Sequence, residues 1–437
     1  MIAFILAGGK GTRLKEITPD QVPKPMVSIA GKPILQYQME FLAGNHIKDV
    51  IISIGYGADA IRNYFGDGRK FDLSIRYAEE PKPLGTAGAF KYAEPLFGDA
   101  QDILVLYGDT IFDIDLERLM RFHRSRGGPG TLLAHPNDHP FDSDLLDVDD
   151  DGRITEFIPK PRPADQDYRN LVNAGIYVLN RTMTRFIESG KKLDFGRDVF
   201  PLLVNRGENL YAYSSSEYVK DAGSVARFYE VEKDILNGKV HHRNLVNSQK
   251  AIFLDRDGVI NEEVNFLHRP EQLKLIDGSA NAVRKINRSD YLGIVVTNQS
   301  VVARGLCSEK DVARIHKKLD RLLGKQQAFL DGIYYCPHHP DRGFAGENSD
   351  YKVTCVCRKP EIGMILQAQQ DFNIDLSQSF MIGDSTRDIQ AGCNAGMKTI
   401  LVKTGYAGQD KRFDCPPDFV FENLQKAVDF VIDEYKG

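Results

Sequence analysis

Short apolar runs alternate with amphipathic stretches along the whole chain. In the first half the runs IAFILA (2–7), VIISIG (50–55), SIRYAE (74–79) and ILVLY (103–107) have strand length and strand composition. Stretches with helical spacing, such as 33–44 and 87–97, lie between them. In the second half the runs are AIFLD (251–255), LGIVVT (292–297), GIYY (332–335), SFMI (379–382) and KTILV (398–402). This order predicts two α/β domains, each on a mainly parallel, Rossmann-like sheet. A helical run over 224–238 ends at Gly238, and the polar, aperiodic stretch GKVHHRNLVNSQ leads to the strand at Ala251. The predicted boundaries are therefore 1–238, a linker at 239–249, and 250–437. The His241–His242 pair reads as solvated linker rather than as metal ligands.

Composition narrows the function classes. The 437 residues are 42% hydrophobic, which predicts two or three globular domains rather than disorder. Lys and Arg number 56 against 61 Asp and Glu, so the basic balance of a nucleic-acid binder is missing. No apolar run reaches the roughly 20 residues that span a bilayer. The opening MIAFILAGGKGTRL lacks a basic n-region and runs into a Gly-rich loop, unlike a signal peptide. Six cysteines without a secretory signal predict a reducing, cytoplasmic setting. The partners expected are small molecules, with neither nucleic acid nor membrane; a homo-oligomer is compatible with this composition.

After the first strand comes AGGKGTRL. Gly8, Gly9 and Gly11 let backbone N–H groups close around phosphate oxygens, and Arg13 adds a forked donor. The spacing fits neither the Walker loop nor the dinucleotide fingerprint. Lys24 stands between Pro23 and Pro25, which predicts an ammonium on a fixed, extended backbone. The unbroken stretch LAGGKGTRLKEITPDQVPKPMVSIAGKPIL resembles the opening of the sugar-1-phosphate nucleotidyltransferases. PLGTAGA (83–89), LYGDT (106–110), NAGIYVLN (173–180) and VKDAGS (219–224) follow in that family's order.

The resemblance implies a mixed-sheet nucleotidyltransferase domain. It implies nucleotide contacts from Leu6, Ala7, Gly8, Gly9, Gly11, Thr12, Gly85 and Thr86, and catalytic cations at Arg13 and Lys24. It implies Mg²⁺ on Asp109 and Asp221, and sugar-phosphate contacts from Gly108, Glu156, Lys160, Asn173 and Gly175. Glu79 and Glu80 precede the base-binding stretch. A carboxylate only accepts hydrogen bonds, which suits guanine N1–H and its amine and repels the N1 acceptor of adenine. The expected nucleotide is therefore GTP, and the segment also resembles the mannose-1-phosphate guanylyltransferases. The two additional residues Pro81-Lys82 leave open which Glu faces the base.

In the second half Asp255-Arg256-Asp257 follows a strand. Carboxylates at i and i+2 suit a nucleophile and an acid/base partner. Thr297-Asn298, Arg358-Lys359 and Asp384, with Asp388 one turn on, follow in the order of the haloacid-dehalogenase-like phosphatases, which this half resembles. That resemblance implies a parallel-sheet domain, Mg²⁺ on Asp255, Asp257 and Asp384, and phosphate contacts from Thr297, Asn298, Gln299, Ser300, Arg304, Arg358 and Lys359. Cys336-x-His338 and Cys355-x-Cys357, separated by a polar loop, have the paired spacing of a structural Zn²⁺ site, with His339 the rival for His338. Cys307, Cys393 and Cys415 read as ordinary thiols. FLDRDGVIN, TNQS, CPHHP and CRKP together resemble the heptose 1,7-bisphosphate 7-phosphatases, with histidinol-phosphate phosphatases close. Val301-Val302 and Ser385 depart from that pattern at positions where the family usually has Gly and a basic residue.

The two chemistries constrain each other. A transferase that consumes a sugar 1-phosphate is compatible only with a phosphatase acting at the other end of a bisphosphate. The expectation is a bifunctional enzyme making GDP-heptose from GTP and heptose phosphates. The rivals are the same chemistry on another sugar or nucleotide, and a sensor with one inactive domain.

Overall fold

Ile2–Leu6 forms β1, the centre of a nine-stranded sheet. Its neighbours are β2 (Asp49–Ile54), β3 (Ser74–Glu79) and β4 (Asp102–Tyr107), all parallel. Beyond β4 the sheet turns antiparallel through β5 (Gly130–His135), β6 (Leu145–Val148), β7 (Ile154–Ile158) and β8 (Val172–Asn180), while β9 (Leu210–Ser214) pairs parallel with β5. The period of two divides β1 between two cores. Phe4 meets Phe90 and Phe97 edge-on at 5.5 and 6.1 Å, and Ala3 and Ile5 join Leu35 and Met39 on the other face.

The second sheet is all parallel. It runs β12-β11-β10-β13-β14-β15, with β10 at Lys250–Leu254, β11 at Tyr291–Asn298, β12 at Gly332–Cys336, β13 at Phe380–Gly383, β14 at Lys398–Val402 and β15 at Phe419–Phe421. Its central strands are apolar throughout because helices cover both faces.

This is a computed structural model, and it describes residues 1–9, 22–343 and 345–435. Gly11, Thr12 and Arg13 lie outside the described residues. The chain divides into two units. The first comprises 1–135, 143–160 and 171–244, and the second 136–142, 161–170 and 245–437. The excursions 136–142 and 161–170 therefore differ from the expected boundaries. Within the second unit Asp320 accepts from Asn170 N–H at 3.0 Å, and Arg321 donates to Asp167 at 2.6 Å. The expected linker opens as a helical turn, Lys239–His242, held by Asp113, which pairs with His241 at 3.1 Å and accepts from Asn244 at 2.6 Å.

Candidate active sites

In the first unit the carboxyl ends of β1, β2, β3 and β4 carry the described ones among the expected nucleotide residues. Ala7 N–H donates to Ser53 O at 2.9 Å, and Gly108 N–H to Leu6 O at 3.0 Å. A Cβ at Gly108 would lie 3.0 Å from that same carbonyl, a tight contact that favours glycine. Glu80 is half-buried beside Gly8. It accepts from Ser53 Oγ at 2.7 Å and from Leu84 N–H at 2.8 Å, fixing the 80–84 loop. Glu79 is exposed and pairs with Arg62. Gly85 and Thr86 face the 193–195 segment. A Cβ at Gly85 would sit 2.5 Å from Leu193 O, and Thr86 Oγ1 donates to Asp194 at 2.8 Å.

The short strands Thr110–Asp113 and Tyr218–Asp221 pair antiparallel, with Asp221 opposite Thr110. This register places Asp221 beside Asp109, whose carbonyl accepts from Ala222 N–H at 3.3 Å. Lys24, nearly buried, reaches Asp109 from a 3₁₀ turn at Lys24–Met26. The expected extended backbone is corrected here, because the turn closes through Met26 N–H to Pro23 O at 2.8 Å. Arg227, absent from the sequence reading, pairs with Asp221 at 2.9 Å; the signal for it was its place on the first turn of the helix that Ser224 caps. Asn173 Oδ1 accepts from Gly175 N–H at 3.3 Å, and Gly175, at φ +73°, lies against the Tyr107 ring. Glu156 and Lys160 are exposed, the backbone of Lys160 donating to Asp144 at 3.2 Å.

In the second unit Asp255 follows β10, and Asp384 and Asp388 follow β13. Single oxygens of the three lie within 4.8 Å of one another. Lys359 is buried between them, 3.1 Å from Asp255 and 2.6 Å from Asp388. Burial and the charge of Asp388 push the Asp255 carboxyl up to about 7. Burial, Asp388 and Asp255 push Asp384 up to about 9. Burial opposes ionisation of Asp388 too, but Lys359 holds that carboxyl below its ordinary value.

Asp257, expected among the Mg²⁺ ligands, instead turns its carboxylate to Arg256, and Asp388 completes the trio. Gln299, expected on substrate, is buried and engaged with Arg256, Asp257 and Thr297. Asn298 clamps the Lys359 backbone, donating to its carbonyl at 3.1 Å and accepting its N–H at 3.0 Å. These three corrections have one cause: spacing places a residue at a strand end but does not say which way its side chain turns.

Asp255 opens into a pocket of about 220 Å³ that also carries Arg304, Arg358, Arg387 and Arg412. Burial and the charge of Arg387 bring the Arg358 guanidinium down to about 10, still a cation at neutral pH. Arg387 and Arg412 were missed by the sequence reading, because Arg387 stands on the first turn of the helix Thr386–Asn394 outside any motif and Arg412 stands on a loop without periodicity. Val301 and Val302, which depart from the family pattern, are buried against Val312.

Cys336, His338, Cys355 and Cys357 form a second cluster. The Cys336 sulfur lies 3.5 Å from that of Cys355 and 3.1 Å from that of Cys357, and His338 Nδ1 lies 3.4 Å from Cys357. These are close to the edge lengths of a tetrahedral metal site. His339 points instead to Arg304, at 3.5 Å, in the phosphatase pocket. Cys393 and Cys415, expected as thiols, form a disulfide, because the loop after β14 folds back along the helix Thr386–Asn394.

The Nucleotidyl transferase family model matches residues 2–238, and the HAD-hydrolase-like model matches 356–427. The D-glycero-beta-D-manno-heptose-1,7-bisphosphate 7-phosphatase of Haemophilus influenzae is 44% identical over 157 residues, 36% of this chain and 83% of that protein. Its counterpart from Haemophilus ducreyi is 39% identical over 189 residues, 42% of this chain and 98% of that protein. The UTP--glucose-1-phosphate uridylyltransferase of a Synechocystis species is 32% identical over 254 residues, 55% of this chain and 64% of that protein.

Proposed function

The chain belongs to the nucleotidyl transferase family and joins to that domain a haloacid-dehalogenase-like phosphatase, and from this premise we propose that it is a bifunctional enzyme of GDP-D-glycero-D-manno-heptose formation. The phosphatase unit removes the C7 phosphate of heptose 1,7-bisphosphate. The transferase unit moves GMP from GTP to the resulting heptose 1-phosphate, releasing pyrophosphate.

The observation that carries this reading is the pocket of the second unit. Lys359 and a divalent cation serve the phosphate at Asp255. Four further guanidiniums line the same pocket beside Glu263 and Asp410, and they offer donors for a second anionic group on the substrate. Removing the distal phosphate of a bisphosphate preserves the 1-phosphate that a nucleotidyl transferase consumes. The names of the matching phosphatase relatives support the same substrate.

In this reading Asp255 attacks phosphorus, the sugar alkoxide leaves with a proton from Asp257, and water then hydrolyses the aspartyl-phosphate with Asp257 as base. Asp255, Asp384 and Asp388 fit Mg²⁺, since three carboxylates share one ammonium and a doubly charged cation balances the remainder. Bound there, Mg²⁺ supplies charge that offsets the repulsion between nucleophile and phosphate. In the transferase unit Asp109 and Asp221 are the Mg²⁺ residues, and Lys24 faces the phosphates. Transfer needs no covalent intermediate, so alignment of the sugar phosphate with the α-phosphorus carries the rate.

The thiolate-rich cluster suits Zn²⁺ in a closed, structural role. Glu80 is the carboxylate assigned to guanine; the transferase relative is named for UTP, so the base is tested directly. No helix among the described residues is long and apolar enough to cross a membrane, and use of a nucleoside triphosphate favours a cytoplasmic enzyme. The test is mass spectrometry of products from heptose 1,7-bisphosphate, Mg²⁺ and all four nucleoside triphosphates. GDP-heptose with one orthophosphate and one pyrophosphate is expected. Heptose 7-phosphate, or transfer from another triphosphate in preference, overturns the assignment.

A further inference from the structure

Arg256 is fully buried, and its guanidinium is shared among three side chains. Its Nε donates to Asp257 Oδ1 at 3.1 Å and its Nη2 to Asp257 Oδ2 at 2.8 Å, a side-on fork. Nη2 also donates to Gln299 Oε1 at 3.0 Å. On the far side Nη1 lies 3.1 Å from His316 Nε2. An arginine only donates, so Nε2 of His316 is the acceptor and its ring proton sits on Nδ1. Tyr335 packs against the His316 ring at 5.5 Å and donates through its hydroxyl to Glu309 at 2.6 Å, which holds the ring in that plane. Asn261 and Gln299 donate to Asp257 as well, at 2.8 and 2.9 Å. Every donor around Asp257 is therefore aimed at it as an acceptor, the form in which a carboxylate takes a proton from water.

We propose that His316 is a positioning residue for the second half of the phosphatase reaction: it fixes Arg256, and Arg256 holds Asp257 as the base that activates the hydrolytic water. In that step the water oxygen bonds to phosphorus, its proton passes to Asp257, the bond from phosphorus to the Asp255 oxygen breaks, and orthophosphate leaves with the Asp255 carboxylate restored. Without the His316 acceptor the buried Nη1 N–H has no partner, and the guanidinium must turn to find one, opening the fork. The inference rests on the phosphatase reading above, and not on which sugar is the substrate.

The test is steady-state kinetics of full-length His316→Leu on heptose 1,7-bisphosphate and on p-nitrophenyl phosphate, with acid-quench trapping of phosphoenzyme. On p-nitrophenyl phosphate, whose leaving group needs no proton from Asp257, slowed hydrolysis of the phosphoenzyme should lower kcat about tenfold while kcat/KM stays within about twofold, because kcat/KM reports only the steps through phosphoryl transfer. Phosphoenzyme should accumulate, and kcat should converge for the two substrates, which share that intermediate. His316→Gln, which keeps an acceptor, should restore kcat. His316→Asn, too short to reach, takes the place of His316→Leu if the latter does not fold. Parallel falls in kcat and kcat/KM on p-nitrophenyl phosphate, or unchanged kcat in a folded variant, overturn the positioning role. A wild type that hydrolyses neither ester overturns the phosphatase reading instead.

Discussion

Both units gather carboxylates at the carboxyl ends of strands, but they balance the charge differently. In the transferase unit Asp109 and Asp221 each have a cation of their own, Lys24 and Arg227, and their side chains are 33% and 39% exposed. In the phosphatase unit Asp255, Asp384 and Asp388 share the single buried ammonium of Lys359. The first arrangement is charge-matched within the protein, and in the proposed reading a metal on Asp109 would compete with Lys24. The second has fewer cations than carboxylates, and burial first, then the neighbouring carboxylates, push the Asp255 and Asp384 carboxyls up. The difference is between carboxylates that each have a cation of their own and carboxylates that crowd around one.

The strongest way to break the comparison is to remove one carboxylate from each site. Asp255→Asn removes the nucleophile and should lower phosphate release roughly a thousandfold or more while nucleotidyl transfer stays near wild type. Asp109→Ala should do the reverse, abolishing Mg²⁺-dependent pyrophosphate release and sparing the phosphatase. Retained phosphate release in the first variant, or retained pyrophosphate release in the second, contradicts the corresponding role.

Cys355→Ser attacks the phosphatase site from outside. Zinc content should be about one per chain in the wild type and be lost in the variant. The loop between Cys336 and Cys357 would then loosen, and Arg358 and Lys359 follow Cys357 directly. Phosphatase activity should fall about ten- to a hundredfold although the metal does no chemistry. Metal analysis with both assays checks this, and unchanged zinc content would refute the ligand set.

What could be read from the chain was what a buried strand and a following loop express. β1 and β10 are apolar runs ending in AGG and DRD, and both motifs stand where their strands end. The antiparallel strands over 130–180 were not read, because their apolar positions mix with polar loops. Side-chain direction was not readable either: Gln299 and Asn298 sit in a substrate motif yet serve Asp257 and Lys359. Arg412 and the Cys393–Cys415 pair depend on a loop folding back along a helix, which spacing does not encode.

The charge deficit itself can be titrated. Asp255 and Asp384 stay protonated in the folded, metal-free unit at pH values where an unfolded chain ionises them. The folded state then holds more protons from about pH 4 upwards, so stability falls as pH climbs through about 7 and towards about 9. Asp388, held low, works in the opposite sense only below about pH 4. The protein freed of Mg²⁺ by dialysis, with its zinc retained, should lose thermal stability of its phosphatase unit between about pH 5.5 and 8.5. Mg²⁺ at about a hundred times its Kd should restore about 5–10 °C at the higher pH and less at the lower. A Mg²⁺ shift that is equal at both pH values would remove the deficit from the argument.

The smallest effect sharpens the transferase side. Glu80 holds the 80–84 loop through Ser53 and Leu84 and still has lone pairs for guanine N1–H and the amine. Glu80→Gln is the informative change, because an amide oxygen can keep the Leu84 N–H and its NH₂ can donate to the Ser53 hydroxyl. The loop should hold while the base loses a carboxylate. One unpaired guanine donor costs about 1–3 kcal/mol if buried, so kcat/KM for GTP should fall by roughly tenfold or more and discrimination against UTP should relax. Glu79→Gln should leave nucleotide choice unchanged, since Glu79 pairs with Arg62 on the exposed side. The measurement is kcat/KM for all four triphosphates in the wild type and both variants. GTP preference that survives Glu80→Gln would move base recognition to the backbone around Leu84–Thr86, and a Glu79 effect equal to that of Glu80 would mean that the loop, not the carboxylate, selects the base.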